Sequence, residues 1–168
     1  MKAPEQEIIF NQWVEQHYPM LHKVALSFGQ GADRDDLIQE MLINLWKSVP
    51  AYRGESAEST YIYRVVHWTA LTWIRGEKRR TQRLEQAAKE TRLESRRPRV
   101  NNRLELLFES IQNLPAVDRS IITMALDGLT HADIGEVIGS TENAISVRIH
   151  RIRQQLNLEI QHSMETNS

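Results

Sequence analysis

The sequence predicts an all-α protein of two small helical modules joined by a basic linker, with a helix-turn-helix in the C-terminal module. Apolar residues recur every three or four positions along most of the chain, which is the period of an amphipathic helix. No stretch has the strict apolar/polar alternation that is typical of a strand. Residues 61–103 hold twelve Lys or Arg against four Asp or Glu, whereas the segments on both sides are acidic. This basic middle predicts contact with a polyanion, and the alternative is a solvated linker that happens to be basic.

Composition excludes several kinds of site. The chain has no cysteine, so it has no disulfide, thiolate metal site or cysteine nucleophile. Neither a glycine-rich phosphate loop nor an HExxH motif occurs, so we expect no enzyme, no metal site and no cofactor. The acids Asp33, Asp35 and Asp36 are better explained as favourable charges at a helix N-terminus than as metal ligands. A signal peptide and an apolar run that could span a bilayer are both missing, which predicts a cytoplasmic protein without membrane insertion.

Prolines and glycines divide the predicted N-terminal module, residues 1–80, into helices. Pro4 and Pro19 each suit a first helical turn, so they predict two successive helices, the second of which ends at Gly29. A third amphipathic helix is predicted from Asp33, which can act as its cap.

The third helix ends near Trp46 and has one apolar and one polar face. Gly, Ser and Pro then predict a loop over residues 50–59. A fourth helix begins at Ser59 or Thr60 and extends to at least Arg75.

One face of the fourth helix alternates aromatic and cationic side chains. Rings stack on unpaired bases and guanidinium groups neutralise phosphates, so this face predicts contact with single-stranded nucleic acid. The alternative is that Trp68 is a core residue of a helix that is buried on two sides. The residues of this face are Tyr61, Arg64, Trp68, Thr72, Arg75 and Arg79.

Residues 81–102 lose the apolar period and contain Pro98, which predicts a linker. The C-terminal module, residues 103–160, begins with a helix from Leu104 that Leu114 and Pro115 close. A second helix over 116–127 ends at Gly128.

Residues 129–156 have the pattern of a helix-turn-helix. Thr130 and Asp133 can form a capping box, Gly139 suits the turn, and Thr141 can cap the second helix. The polar stripe of that second helix has side chains that can read base edges in a major groove. An ordinary helical hairpin with a solvated polar face is the alternative. The stripe contains Asn143, Ser146, Val147, His150, Arg151 and Gln154.

Four segments, in order, resemble a bacterial sigma factor of the extracytoplasmic-function (ECF) group. The acidic helix Asp33–Trp46 is similar to the family's D-x-x-D-L-x-Q-E segment, and Tyr52–Ser56 is similar to the loop after it. Tyr61–Arg80 resembles the family's W-L-Y-R-I-A helix, and Leu114–Leu156 resembles its C-terminal module.

This resemblance implies a dissociable subunit that binds core RNA polymerase and directs promoter recognition, DNA melting and transcription initiation. An anti-sigma factor is a common partner in the family. The residues implied in polymerase docking are Asp36, Leu37, Gln39, Glu40 and Trp46. Contact with the minus-ten element of promoter DNA is expected from the loop and the fourth helix, at Arg53, Gly54, Glu55, Ser56, Tyr61, Arg64, Trp68, Thr72, Arg75 and Arg79. Contact with the minus-thirty-five element is expected at Asn143, Ser146, Val147, His150 and Arg151.

The chain departs from the family pattern at positions tied to base capture. Phe and Arg of the usual S-F-R-T-W context are missing from residues 57–61, Trp68 replaces a common Asn, and Thr72 replaces an Asp. The minus-ten preference of relatives therefore does not transfer to this chain.

Two other functions compete with this interpretation. A stand-alone helix-turn-helix regulator explains residues 114–156 but not the acidic helix, the loop or the aromatic face. A helical antagonist that resembles a sigma factor would bind polymerase without opening promoters.

Overall fold

The computed structural model describes the backbone of residues 3–87 and 103–166, and the side chains of residues 4–77 and 103–165. Seven α-helices and one short 3-10 helix are present in these ranges, and no strand is, which confirms the predicted all-α class. The α-helices are α1 (Ala3–Phe28), α2 (Asp33–Ser48), α3 (Glu58–Ala87), α4 (Arg103–Asn113), α5 (Ala116–Leu126), α6 (His131–Ile138) and α7 (Glu142–Thr166).

Helix α1 is continuous through Pro19, so the prediction of two helices was wrong here. Proline lacks an N–H group and disfavours a helix interior, which is why the sequence pattern suggested a break. Trp13, Leu21 and Val24 are buried on both sides of the proline and hold the two halves in one line. Pro19 itself is exposed, so the carbonyl one turn earlier, on the same helix face, lies toward solvent. Tertiary packing therefore overrides the local preference.

Helix α3 is longer than the sequence indicated. It begins at Glu58 and continues to Ala87, so residues 81–87 of the predicted linker are helical. Residues 88–102 lie outside the described part of the chain. The predicted loop over residues 50–59 begins with a 3-10 turn over Val49–Ala51.

Each module buries its own apolar side chains, and the two sets meet in one core. Fully buried side chains of the N-terminal module include Trp13, Leu21, Leu37, Met41, Leu45 and Ile62. Those of the C-terminal module include Ile111, Leu114, Ile121, Met124, Ile134 and Ile145.

The two modules pack directly against each other. Helix α1 lies against α4 and α5, and α3 lies against α5 and α6. In this arrangement, within the described residues, α3 contacts α6 of the helix-turn-helix and does not contact its second helix, α7. None of the described helices is long and apolar enough to cross a membrane.

Candidate nucleic-acid interface

The outer face of α2 presents an acidic and polar surface with an apolar centre. Asp36, Gln39 and Glu40 are exposed. Ile43, one turn further along, is 46% exposed although it is apolar, and it was not among the residues predicted for the outer face. Leu37 is fully buried, so it supports this face from beneath and is not available to a partner.

Trp46 lies at the end of the same face and is partly exposed. Its ring meets Phe10 of α1 edge-on, with 5.3 Å between the ring centroids. Gln6 donates a hydrogen bond of 2.8 Å from Nε2 to the Trp46 carbonyl. The start of α1 therefore fixes the end of α2.

An aromatic cluster anchors the loop between α2 and α3. The rings of Trp13, Tyr52 and Tyr61 lie with centroids 5.0 to 5.9 Å apart. The Tyr61 hydroxyl donates to the Ser48 carbonyl at 3.0 Å, and the Tyr52 hydroxyl donates to the Ser56 carbonyl at 3.0 Å. Tyr61 is thus half-buried and positions the loop more than it offers a ring to DNA.

The loop itself presents exposed polar groups beside this cluster. Arg53, Gly54 and Glu55 are exposed, and Ser56 is half-buried. Gly54 has φ of +72°, a conformation that side chains disfavour, so glycine permits the turn here.

The middle of α3 presents the predicted aromatic and cationic face. Trp68 is 66% exposed, so the alternative that it is a core residue is wrong. Arg64, Thr72 and Arg75 are exposed on the same face, whereas the side chain of Arg79 lies outside the described residues. Exposure of a large apolar ring to water is unfavourable, so an exposed indole marks a candidate binding surface.

Beneath this face lies a buried histidine. His67 is 1% exposed, and neither ring nitrogen has a hydrogen-bond partner within the part of the chain that the structure describes. Its ring stacks on Tyr63 at a centroid distance of 6.2 Å. Burial lowers the pKa of His67 to about 4, and the distant charge of Asp127 opposes that shift. The side chain is therefore neutral at pH 7.

The helix-turn-helix has the predicted local geometry. Asp133 donates its backbone N–H to the Thr130 hydroxyl at 3.1 Å, and the Thr130 N–H donates back to the Asp133 carboxylate at 3.2 Å. Gly139 has φ of +79° and makes the turn. The Thr141 hydroxyl accepts a hydrogen bond of 3.2 Å from the Ala144 N–H, which caps α7. The capping box and both caps were correctly predicted.

Helix α7 packs on its apolar side and exposes the predicted reading face. Ile145, Ile149 and Ile152 are buried. On the opposite side, Ser146 is half-buried and the other expected contacts are exposed, namely Asn143, Val147, His150 and Arg151.

Arg148 of α7 lies outside this face and pairs with a residue of α5. Arg148 forms an ion pair with Asp118 of α5, and the carboxylate is mostly buried. This pair was missed by sequence reasoning because its partners are 30 residues apart.

A cleft of about 950 Å³ lies beside the contact between α3 and α6, the first helix of the helix-turn-helix. Trp68, Thr72 and Arg75 line one wall, and Val137 and Gly139 lie on the opposite wall. The cleft therefore adjoins the predicted minus-ten face of α3, whereas its lining includes no residue of α7.

Two family models match the chain in sequence order. Sigma-70 region 2 matches residues 13–80, from α1 into α3, and Sigma-70, region 4 matches residues 104–156, from α4 into α7. Across 90% of its length, the chain is 27% identical to an ECF RNA polymerase sigma-E factor of Haemophilus influenzae and spans 87% of that protein. The chain belongs to the ECF sigma factor family.

The ECF sigma-E factor of Escherichia coli (strain K12) is similar as well, at 24% identity, and the match covers 90% of this sigma factor and 86% of that protein. Sigma factors direct transcription initiation, so the function implied by the four motifs is confirmed, and the stand-alone regulator is not favoured.

Two solved structures share the fold of this sigma factor. One is a co-crystal structure of the sigma factor RpoE with the anti-sigma factor NepR from Bartonella quintana, at a TM-score of 0.69 and 20% identity, covering 90% of this chain and 96% of that chain. The other is the structure of CnrH with the cytosolic domain of CnrY, at a TM-score of 0.66 and 23% identity, covering 93% and 90% of the two chains.

Proposed function

We propose that this sigma factor divides promoter recognition among three surfaces. The outer face of α2 binds core RNA polymerase, the loop and α3 bind the melted minus-ten element, and α7 reads the minus-thirty-five element as duplex. The observation that carries the proposal is the exposed Trp68 between Arg64 and Arg75 on one face of α3. Residues 1–80 and 103–160 form the two functional modules in this scheme, and the segment between them connects the readers.

Polymerase docking suits the chemistry of α2. Protein interfaces place an apolar centre within a polar rim, and Ile43 with Trp46 supplies such a centre beside Asp36, Gln39 and Glu40. Leu37 acts only as a buried support for these residues.

Melting requires a surface that holds unstacked bases. Extruding a base from the duplex costs a few kcal/mol, and stacking on an aromatic side chain returns about 1–3 kcal/mol per base. Trp68 supplies the stacking surface, while Arg64 and Arg75 neutralise neighbouring phosphates. The loop at Arg53 and Glu55 lies toward the start of α3, where it can contact an extruded base.

Duplex reading by α7 is expected to be weak in isolation. Its reading face has one permanent cation, Arg151, together with neutral Ser146 and Val147. Few phosphate contacts mean little release of counterions and therefore little affinity. Polymerase and the minus-ten contacts would supply most of the binding free energy.

We infer that this sigma factor has no catalytic step of its own and acts in the cytoplasm, where its polymerase and promoter are found. An anti-sigma factor is a further proposed partner, supported by the fold shared with a sigma factor that was solved with the anti-sigma factor NepR.

Reconstituted transcription tests the proposal. The chain is mixed with core RNA polymerase and a pool of promoter fragments, and run-off transcripts are sequenced. A sigma factor gives transcripts from a defined subset of fragments, whereas a regulator binds an operator without polymerase and an antagonist binds polymerase without transcripts. Failure to obtain any transcript from a diverse pool would contradict the proposal.

A further inference from the structure

Helix α7 has an apolar side chain in the middle of its exposed polar face. Val147 is 47% exposed. It lies two residues after Ile145 and two residues before Ile149, both of which are buried. Successive residues of an α-helix are rotated by about 100°, so a side chain two positions away points to the opposite side of the helix. Val147 therefore points away from the core of the C-terminal module.

Polar residues flank this valine on the reading face. Asn143 and Arg151 are exposed one turn before it and one turn after it. Arg148, the next residue in the chain, forms an ion pair with Asp118 of α5, whose side chain is 18% exposed. That pairing holds the cation beside Val147 against the protein. The middle of the reading face is therefore apolar and lies between a hydrogen-bonding side chain and a cationic one.

Neither helix stability nor core packing accounts for an exposed valine at this position. Valine is a poorer helix former than alanine, lysine or glutamine, because its branched side chain loses rotamers against the preceding turn. Its exposed methyl groups also remain in contact with water, which is unfavourable. A binding partner that covers these methyl groups would remove that cost.

The base edges of a major groove differ in what they offer to an apolar side chain. Only thymine presents an apolar group there, its C5 methyl. Adenine, guanine and cytosine present hydrogen-bonding groups, which lose water without gaining a partner when they face a valine. A duplex reader with an apolar centre therefore favours thymine opposite that centre. Burial of one methyl-sized group corresponds to about a fourfold change in an equilibrium constant.

We propose that Val147 is a specificity-determining residue of the minus-thirty-five contact, and that it favours a thymine by packing on its C5 methyl group. This inference rests on the proposed function, in which α7 reads that element as duplex. It adds a base identity to that function. The element contains an A·T pair whose thymine faces the middle of α7, and the preference arises from apolar contact without a hydrogen bond.

Removal of the thymine methyl group from a promoter tests this contact. The promoter is one that supports transcription by the holoenzyme, the complex of this sigma factor with core RNA polymerase. It is synthesised with deoxyuridine in place of each thymidine of its minus-thirty-five element, one position at a time on either strand. Uracil keeps the hydrogen-bonding groups of thymine and lacks only the methyl. The wild-type holoenzyme should bind one such fragment about fourfold more weakly than the unmodified promoter, and we refer to this loss as the uracil penalty.

The same fragments with Val147→Ala assign the uracil penalty to Val147. The variant should bind the unmodified promoter more weakly than wild type does and should lose the uracil penalty, because the side-chain methyl groups that contact the thymine are gone. Alanine is the best helix former and position 147 is exposed, so the variant should fold normally. Asn143→Ala is the matched control. It should weaken binding and retain the uracil penalty, because the contact that it removes is a hydrogen bond.

A second base substitution restores the methyl group without restoring thymine. At the position found with uracil, the wild-type holoenzyme should bind 5-methylcytosine more tightly than cytosine, whereas Val147→Ala should bind the two equally. A uracil penalty that is the same in wild type and Val147→Ala, or that is absent throughout the element, would overturn the thymine contact while transcription itself persists. Absence of transcripts from every promoter in a diverse pool would overturn the proposed function and, with it, this inference.

Discussion

At the scale of single residues, a substitution at Trp68 tests promoter opening independently of polymerase binding. We expect Trp68→Ala to weaken promoter opening by about 1–3 kcal/mol, because the lost ring can no longer stack on an unpaired base. Core polymerase binding should change little, since the Trp68 side chain lies on α3 and not on the docking face of α2. Permanganate footprinting of the holoenzyme on a promoter measures opening.

Trp46→Ala is the matched aromatic control for Trp68. It should reduce core binding and leave opening by the saturated holoenzyme intact, because Trp46 lies on the α2 docking face beside Phe10. Normal permanganate reactivity in Trp68→Ala would assign the minus-ten contact to other residues.

His67 makes stability depend on pH. Its folded pKa of about 4 lies below the ordinary value of 6.5, so an unfolded chain takes up a proton that the folded chain rejects as pH falls. The contribution of neutral His67 to the free energy of unfolding is fully present above pH 6.5 and is lost as the pH falls from about 6.5 to 4. At pH 4.5 the loss should be about 2 kcal/mol.

Urea unfolding at pH 7 and pH 4.5 measures this loss, with His67→Phe as the comparison because phenylalanine retains the ring stacked on Tyr63. The variant should lose less stability on acidification than the wild type. Burial also lowers the pKa of His17, so part of the acid sensitivity should remain in the variant. Equal losses in the two proteins would mean that His67 is protonated without cost.

At the scale of elements, glycine placement in the helix-turn-helix has a measurable consequence. A Cβ at Gly135 would lie 2.7 Å from the Ser140 carbonyl oxygen, which is too close. Gly135→Ala should therefore destabilise the protein by about 1–3 kcal/mol. Gly76→Ala is the matched control, because nothing lies within 4 Å of its Cβ position.

In the interior of α3, alanine at position 76 should be neutral or should stabilise by up to about 1 kcal/mol. Thermal unfolding of the two variants measures the contrast. Equal effects at the two glycines would mean that the turn after α6 relaxes easily.

The reading face of α7 has its own prediction. His150→Ala and Arg151→Ala should each reduce discrimination between upstream elements by about 1–3 kcal/mol per lost base contact. Gln155→Ala lies outside the reading stripe and should preserve discrimination. Transcription from templates with substituted minus-thirty-five elements gives the measurement, and an unchanged preference in both reading-face variants would place the reader elsewhere.

The elements also indicate which features a sequence can predict. The caps at Thr130 and Thr141 and the turn at Gly139 depend on residues three or four positions apart, so local patterns predicted them. Pro19 misled the prediction because its local cost is overcome by packing that the pattern does not contain. The end of α3 was underestimated because the basic, polar residues after Arg80 lack an apolar period although their backbone is helical to Ala87.

Contacts between residues that are far apart in the chain could not be predicted from the sequence patterns. The resemblance indicated that α2, the loop and α3 form one functional unit, but the ring cluster of Trp13, Tyr52 and Tyr61 that positions the loop joins three separate segments. Lys23 and Asp127 are 104 residues apart, and Arg64 and Glu136 are 72 apart. Such pairs depend on how whole modules pack, which neither periodicity nor capping determines.

At the scale of the whole molecule, the charge distribution favours contact with a polyanion, whereas the packing of the modules pairs part of the positive charge within the protein. The basic segment over residues 61–103 favours a polyanion, whereas both flanking segments are acidic. Where the two modules pack together, Glu136 of α6 faces Arg64 of α3. Pairing with α6 therefore offsets part of the positive charge of α3 and reduces the attraction of that surface for DNA.

The unbroken α1 has a mechanical consequence. Its 26 residues form a continuous helix about 39 Å long. Phe10 on its first half touches Trp46, and Lys23 on its second half holds Asp127. Because Pro19 does not make a hinge, a tilt of α1 near Trp46 must move Lys23 as well. A displacement of α2 near Trp46, the proposed docking face, would therefore be passed along α1 to the contact between Lys23 and Asp127.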